Sequence, residues 1–484
     1  MKKITPLAQA CLGAIALSLA GCAHITPDQD VLPQRDVAGV QLASSIKLAH
    51  EGWPAAQWWT GYHDAQLDAL IAQALASGPS LEVAAAHIGT ARSTVTRTSA
   101  DLGIDADLYA NANRQRYSAT GLFPAPIGGA SYSEETLRLE ARYNFDWWGK
   151  NRAQIAAAVG EVNAGRAAYA QAEQSLAAAI AQSYFRLQGG WARAANLQQC
   201  IGVQQALVQD QARRIARGLA SADEQRRAEG ELSALNKQLA QIDADNARER
   251  EGLRALIGAD STALADLKPQ PLTATAHALP ARLGMELLAR RPDLQAARWR
   301  VEASLSRIDA AKAAFYPDVN LAGSVGLDTL SLDHLLQAAS RTFYVGPTLT
   351  LPLFDSKRLS AQLDTARSAR NEVIADYNQA VVQAVRDVAQ DGAQLQGIEQ
   401  QIVQQADATG TAAALLHSAQ TKLAHGLADQ ASVLHAQAAL LQQQDAALAL
   451  QQMQLLAEVA LTNALGGGYQ AAAADAPALT QNSK

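Results

Sequence analysis

Two stretches of this chain read as helix over very long distances. No proline interrupts Lys150 to Arg217, and none interrupts Ser356 to His425. At a rise of 1.5 Å per residue, each run would reach roughly 100 Å. A rod of that length cannot bury its apolar stripe in a compact ball, so it needs neighbours along its whole length. Shorter helices follow each rod, about 219–257 and 427–465, and helices enter each half at about 62–100 and 285–314. An entering helix stacked on a return helix would match a long rod. Leu434, Leu441, Leu448 and Leu455 recur every seven residues, the spacing of a coiled-coil seam. The chain is 49% hydrophobic but only 5% aromatic, because its apolar residues are largely alanine. Alanine favours helix and permits close approach of neighbouring helices.

The rods belong to an internal repeat. Leu75-Ala76-Ser77-Gly78-Pro79-Ser80-Leu81 matches Leu288-Ala289-Arg290-Arg291-Pro292-Asp293-Leu294 at an offset of 213, which also pairs Asp105 with Asp318 and Leu108 with Leu321. Phe145-Asp146-Trp147-Trp148 pairs with Leu351-Pro352-Leu353-Phe354, and Gly218-Leu219-Ala220 with Gly426-Leu427-Ala428. The expected divisions are 62–258 for the first repeat, a proline-bearing linker at 259–284, 285–466 for the second repeat and a flexible tail at 467–484.

Between entering helix and rod, each half carries two alternating segments. In 104–113, Ile104, Ala106, Leu108, Ala110 and Ala112 alternate with Asp105, Asp107, Tyr109, Asn111 and Asn113. In 136–146, Leu137, Leu139, Ala141, Tyr143 and Phe145 alternate with Arg138, Glu140, Arg142 and Asn144. Segments 318–327 and 343–353 repeat the pattern, with Val319, Leu321, Val325 and Leu327, then Phe343, Val345, Leu349 and Leu351. Strands of about 10 residues suit a tilted crossing of a bilayer, lipid on one face and water on the other. A soluble sandwich with one solvated face has the same alternation. No stretch of about 18 apolar residues follows the N-terminal region, so a spanning chain is expected to do so as a closed barrel.

The N-terminus points to export. Lys2 and Lys3 precede a small apolar run over 7–20, as in a signal peptide at 1–21. Leu19-Ala20-Gly21-Cys22 resembles the bacterial lipobox, in which the cysteine becomes the lipidated first residue. That resemblance implies a lipidated segment at 22–61, and Ala23 in place of Asp implies the outer membrane. With Cys22 acylated, only Cys200 remains as a free thiol in the mature chain, so no intramolecular disulfide holds the fold. A net charge of −6 with no basic stripe argues against a nucleic-acid partner.

Six motifs stand in order along this repeat. They are Trp58-Trp59 with Leu67-Asp68-Ala69-Leu70-Ile71; Tyr143-Asn144-Phe145-Asp146-Trp147-Trp148-Gly149-Lys150; Arg290-Arg291-Pro292-Asp293-Leu294; Ala313-Ala314-Phe315-Tyr316-Pro317; Gly346-Pro347 with Leu351-Pro352-Leu353-Phe354-Asp355; and Ala464-Leu465-Gly466-Gly467-Gly468-Tyr469. Together they resemble the TolC-type outer-membrane factors, in the lipoprotein branch called NodT- or OprM-like. The resemblance covers most of the mature chain. It implies a mixed α+β membrane protein: a homotrimer whose four strands per chain close a 12-stranded barrel, above a periplasmic barrel of helical hairpins. It further implies a periplasmic membrane-fusion adaptor, an inner-membrane RND-type transporter as partners, and passive small-molecule efflux. A type I protein-secretion duct on the same fold is the alternative, and a pore-less coiled-coil spacer is a third class that the alternating strands disfavour.

No catalytic, metal-binding or cofactor motif stands out, so no enzyme activity and no cofactor is expected. Cys200 reads as helix packing and Gly466–Gly468 as a helix C-cap. The helix-turn-helix tips carry Arg217, Gly218, Leu219 and Ser221 in the first half, and His425, Gly426, Leu427 and Asp429 in the second. Glycine there permits a left-handed turn between antiparallel rods, and the resemblance implies that these tips meet the adaptor. Relatives commonly place an acidic residue nine positions before the second tip glycine. Here that position is His417, a candidate for the aperture or for helix packing. Three histidines around an axis would make conductance rise as pH falls from about 7.5 to 5.5.

Overall fold

The computed structural model of the protein describes residues 25–35, 52–260, 262–274, 284–352 and 354–471. The leader 1–21, Cys22, Ala23, Leu353 and most of the expected tail lie outside the described residues. Helices α1 (Ala65–Ser77) and α2 (Pro79–Ala100) lead into strands β1 (Ile104–Arg116) and β2 (Ser131–Asn144), then α3 (Lys150–Ala216) and α4 (Ala222–Ile257). Helices α5 (Gly284–Arg290) and α6 (Pro292–Ala313) lead into β3 (Asp318–Thr329) and β4 (Arg341–Thr350), then α7 (Ser356–Ala424) and α8 (Gln430–Ala464). The fold is thus α+β with two internal repeats, and the long rods run 67 and 69 residues.

Several expected boundaries move for local reasons. The entering helices break before Pro79 and Pro292, because proline disfavours helical geometry at the preceding residue and is suited to the first helical position. Strand β2 starts at Ser131 rather than 136 and stops at Asn144, two residues before Asp146. Asp146 has a positive φ of 41° and turns to cap α3, accepting from the amides of Asn151 at 2.8 Å and Arg152 at 3.1 Å. Strand β4 covers 341–350 rather than 343–353. The return helices begin at Ala222 and Gln430, because Ser221 and Asp429 act as their N-caps.

One run bears on the expectation that no apolar helix crosses a membrane. The run Ala65–Ala100 has the length and mean hydropathy, 1.2, of a membrane-crossing helix. It is nevertheless broken at Gly78, whose backbone turns extended before Pro79 with φ −68° and ψ 129°, and Leu67, Ile71 and Ala74 on it are fully buried in a protein core.

The chain divides into two compact units. The first comprises Ile88–Ala164, Ala297–Tyr377 and the described residues before Arg35. It carries a four-stranded antiparallel sheet in the order β1-β2-β3-β4. At its base Trp148 stacks on Tyr316 at 4.6 Å and donates from Nε1 to the Pro317 carbonyl at 2.8 Å. An N-terminal strap lies along α7. Ile25 packs on Ile308, Phe315, Leu359 and Leu363, while Arg370 and Arg367 hold Asp28. The hydrogen bond from Arg370 keeps the Asp28 carboxyl below the usual range. Asn371 Nδ2 donates to the Asp30 carbonyl at 2.6 Å, and its Oδ1 accepts from the Leu32 amide at 3.2 Å.

The second unit comprises the described residues of Arg35–His87, Gly165–Ala296 and Asn378–Lys484. Its core gathers Leu67, Ile71, Ile180, Tyr184, Leu253, Ile257, Leu455 and Val459. Each such side chain stabilises the fold by about 1.5–3 kcal/mol when fully buried. The buried Tyr184 hydroxyl donates to Asp64 Oδ2 at 2.5 Å, and Asp64 also caps α1 through the amide of Gln66 at 2.9 Å. Burial pushes the Tyr184 phenol far above its ordinary range. Gln188 fixes the linker from both sides, donating to the Lys268 carbonyl at 3.1 Å and accepting from the Gln270 amide at 2.7 Å. Of the heptad leucines, Leu434 and Leu441 join Leu197, Ile201 and Leu207 in a second core, Leu455 belongs to the first, and Leu448 is half-buried. Gly466–Gly468 do more than cap α8. A Cβ on Gly466 would sit 2.0 Å from the Arg290 carbonyl, and one on Gly468 1.9 Å from that of Ala55.

Candidate functional site

The sheet keeps strict alternation, because its register runs through all three strand pairs without a bulge. Leu108, Leu139, Val325 and Phe343 lie in one row across the four strands, and Ile104, Tyr143, Leu321 and Pro347 in another. Side chains on this face are exposed to an unusual degree for apolar groups; Leu108 is 71% and Phe343 86% accessible. The opposite face is polar and internally paired. Arg138 meets Glu140 at 2.7 Å and lies 5.6 Å over the ring of Tyr109, while Arg142 reaches Glu140 at 3.4 Å. Asn113 donates to Glu134 at 3.2 Å. A water-facing surface therefore backs a surface that water would not favour.

The two tips, both in the second unit, share one construction. Gly218 and Gly426 adopt φ of 73° and 71°, the left-handed region that glycine enters without a Cβ penalty. The next amide reaches back over the helix end, Leu219 to Arg214 and Leu427 to Lys422, both at 2.8 Å. That bond is the long one of a Schellman C-cap. Nothing lies within 4 Å of a Cβ placed on either glycine, so the turn and not crowding selects the residue. Ser221 and Glu224 form a reciprocal capping box at the start of α4. Asp429 caps α8 by accepting from the Ser432 amide at 2.9 Å, and its other oxygen pairs with Arg214 at 3.1 Å. Those Ser432 hydrogen bonds, with help from Arg214, hold the Asp429 carboxyl below its usual range. Leu219 and Leu427 stand exposed at the two turns. Arg217 is exposed beside Gly218, and His425 places Nδ1 2.8 Å from the Thr421 carbonyl.

His417 lies on α7, exposed, with its carbonyl accepting from the Thr421 hydroxyl at 3.0 Å. Among the described residues no group of histidine, cysteine or acidic side chains has the arrangement of a metal site. Cys200 is buried against Leu197 and Leu434, and burial pushes its thiol up, which makes it a poor nucleophile.

Comparison with known proteins identifies the family. The profile of the outer membrane efflux protein family matches residues 70–259 and 283–467. The chain belongs to the outer membrane efflux protein family. This efflux protein is 37% identical, over 95% of its length and 96% of the relative's, to the multidrug resistance outer membrane protein MdtP of Shigella flexneri. It is 38% identical, over 94% of its length and 97% of the relative's, to MdtQ of an Escherichia coli strain. Among solved structures it superimposes on the outer-membrane channel OprN with a TM-score of 0.81 at 25% identity, covering 92% of this chain and 99% of that one. The outer membrane protein VceC of Vibrio cholerae gives a TM-score of 0.76 at 32% identity, covering 86% and 100%. The efflux protein is therefore an outer-membrane channel component, as the sequence motifs imply.

The tertiary structure of the efflux protein brings Asp429 together with a residue that sequence reading missed, Arg214. The available signal was the cluster Arg213, Arg214 and Arg217 at the end of a rod that also lacks acidic residues in its last turn. It does not bring His417 to any charged partner among the described residues.

Proposed function

We propose that three copies of this chain close one 12-stranded barrel in the outer membrane and one helical tunnel below it. The tunnel is a passive conduit for small toxic molecules, with no catalytic step of its own. An inner-membrane transporter of the RND type supplies the energy, and a periplasmic adaptor docks on the tips at Arg217–Ser221 and His425–Asp429. The observation that carries this reading is the apolar face that runs in register through all four strands of a sheet with two unpaired edges. A bilayer does not tolerate open edges, and pairing β4 of one copy with β1 of the next removes them. Small molecules are favoured over exported proteins by relatives named for multidrug resistance.

The deciding experiment combines crosslinking of the purified protein with planar-bilayer recording. A trimer with discrete conductance is expected; a monomer, or a trimer without conductance, would rule the channel out.

Lipidation of Cys22 belongs to the same reading. Mass spectrometry of the mature N-terminus should find acyl chains on Cys22 and none after Cys22→Ser. His417 is proposed to line the aperture. A His417→Cys channel should lose conductance on thiol labelling, and unchanged conductance would assign His417 to packing.

A further inference from the structure

The apolar face of the sheet ends in cations at one rim. The register places Arg341 opposite Leu327, in the row that continues through Leu137 to Ala110. Alternation beyond Ala112 puts Arg114 and Arg116 on that same face. All three arginines are exposed, and none of their side chains makes an ion pair or hydrogen bond among the described residues. The arginines of the polar face, Arg138 and Arg142, are both paired with Glu140. One carboxylate shares the rim: Glu135, opposite Ala112 and diagonal to Arg114, so the cations outnumber it by two. The connection 117–130 contains no charged residue, and Asp333 and His334 in the other connection pair with each other at 3.6 Å.

A groove runs into this rim. Leu108, Leu137, Leu139, Val325 and Phe343 line it, and Arg341 closes its end. An apolar trough terminated by an unpaired guanidinium fits an acyl chain whose headgroup carries an anion. Arginine binds phosphate through two parallel N–H bonds, which the unpaired guanidinium groups of this rim leave available.

We propose that this rim and groove bind the phosphorylated glucosamine lipid of the outer leaflet, lipid A. This rests on the barrel reading above, which puts the strand hairpins at the outer surface. The pairing of β4 with β1 of the next copy would also set Arg341 beside the arginines of the neighbouring subunit. The acyl chain lies in the groove and the phosphate lies on the guanidinium groups, so the subunit seam is bridged by a lipid.

The test uses the full-length trimer in detergent, with bis-phosphorylated lipid A, dephosphorylated lipid A and phosphatidylglycerol as separate probes, read by native mass spectrometry. Wild-type protein should retain bis-phosphorylated lipid A. Dephosphorylated lipid A, and the Arg114→Gln, Arg116→Gln, Arg341→Gln triple variant, should each weaken binding by about tenfold or more. The corresponding lysine triple variant should recover part of it, and Arg138→Gln on the polar face should bind as wild type. Equal binding by the glutamine triple variant overturns the proposal. Equal retention of phosphatidylglycerol overturns the assignment to the outer leaflet. A wild-type trimer that conducts in bilayers but ignores the lipid's phosphates refutes this inference alone; absence of conductance refutes the barrel reading instead.

Discussion

Nη1 of Arg214, in the last turn of α3, lies 3.1 Å from Oδ2 of Asp429, the N-cap of α8. The two tips of one chain are thereby joined by an exposed ion pair. Pairs of this kind contribute about 0–1 kcal/mol and weaken with salt. The same carboxylate holds the first turn of α8, so its two roles separate by mutation. Arg214→Gln should loosen the tips without touching the cap, and spin labels at Leu219 and Leu427 should show a broader distance distribution. Asp429→Ala should remove both and lower hydrogen-exchange protection of the Ser432 amide about fivefold, the effect of a cap worth about 1 kcal/mol. Asp429→Asn should keep that protection. Equal loss in Asn and Ala variants would mean that the cap depends on charge.

The tip should also respond to acid. The Asp429 carboxyl titrates below its ordinary value of 3.8, through the Ser432 hydrogen bonds first and Arg214 after them. A lowered folded-state value means that the stabilisation is complete above the ordinary value and is lost as pH falls through the lowered one. Label distances at the tips should therefore hold constant from neutral pH to about 5 and broaden only below about 4. Broadening between pH 7 and 5 would point to a different group.

Gly218 and Gly426 are required by conformation, since the space around each is open. Alanine at either should cost about 1–2 kcal/mol for a left-handed residue carrying a Cβ. Gly426→Trp should abolish drug efflux in cells while trimer and membrane level stay normal. Unchanged susceptibility with both tips bulky would remove the adaptor from this turn.

The sheet predicts opposite behaviour at adjacent residues. Leu139→Arg and Val325→Arg place a cation in the middle row of the apolar face, at about 2–4 kcal/mol near the bilayer midplane. Asn320→Arg and Arg138→Gln, on the polar face, should leave folded trimer yields close to wild type. Refolding yields in vesicles that fall equally for both sets would mean that the face is not lipid-bound.

Much of this fold was legible because periodicity is a local property. Alternation in 104–113 and 318–327 fixed which side chains share a face, and the proline-free runs fixed the rods. The breaks before Pro79 and Pro292 were visible in principle, since the constraint that ends each helix is carried by a neighbour in sequence. Asp146 was harder. Its residue type suits a strand end or a cap equally, and only the fold turned it onto the amides of Asn151 and Arg152.

The sequence by itself determined the repeat, the four alternating strands, the long hairpins and the glycine turns, because each follows from residues within a few positions of one another. Only the tertiary structure decided what lies across space. It set Arg214 on Asp429, Tyr184 on Asp64 from 120 residues away, and Arg341 in one face with Arg114. It also showed that Gly466 and Gly468 are needed for the carbonyls of Arg290 and Ala55, which would collide with any Cβ. Such contacts depend on strand register and on how helices cross, and register is set by the summed fit of whole faces, which no short motif records.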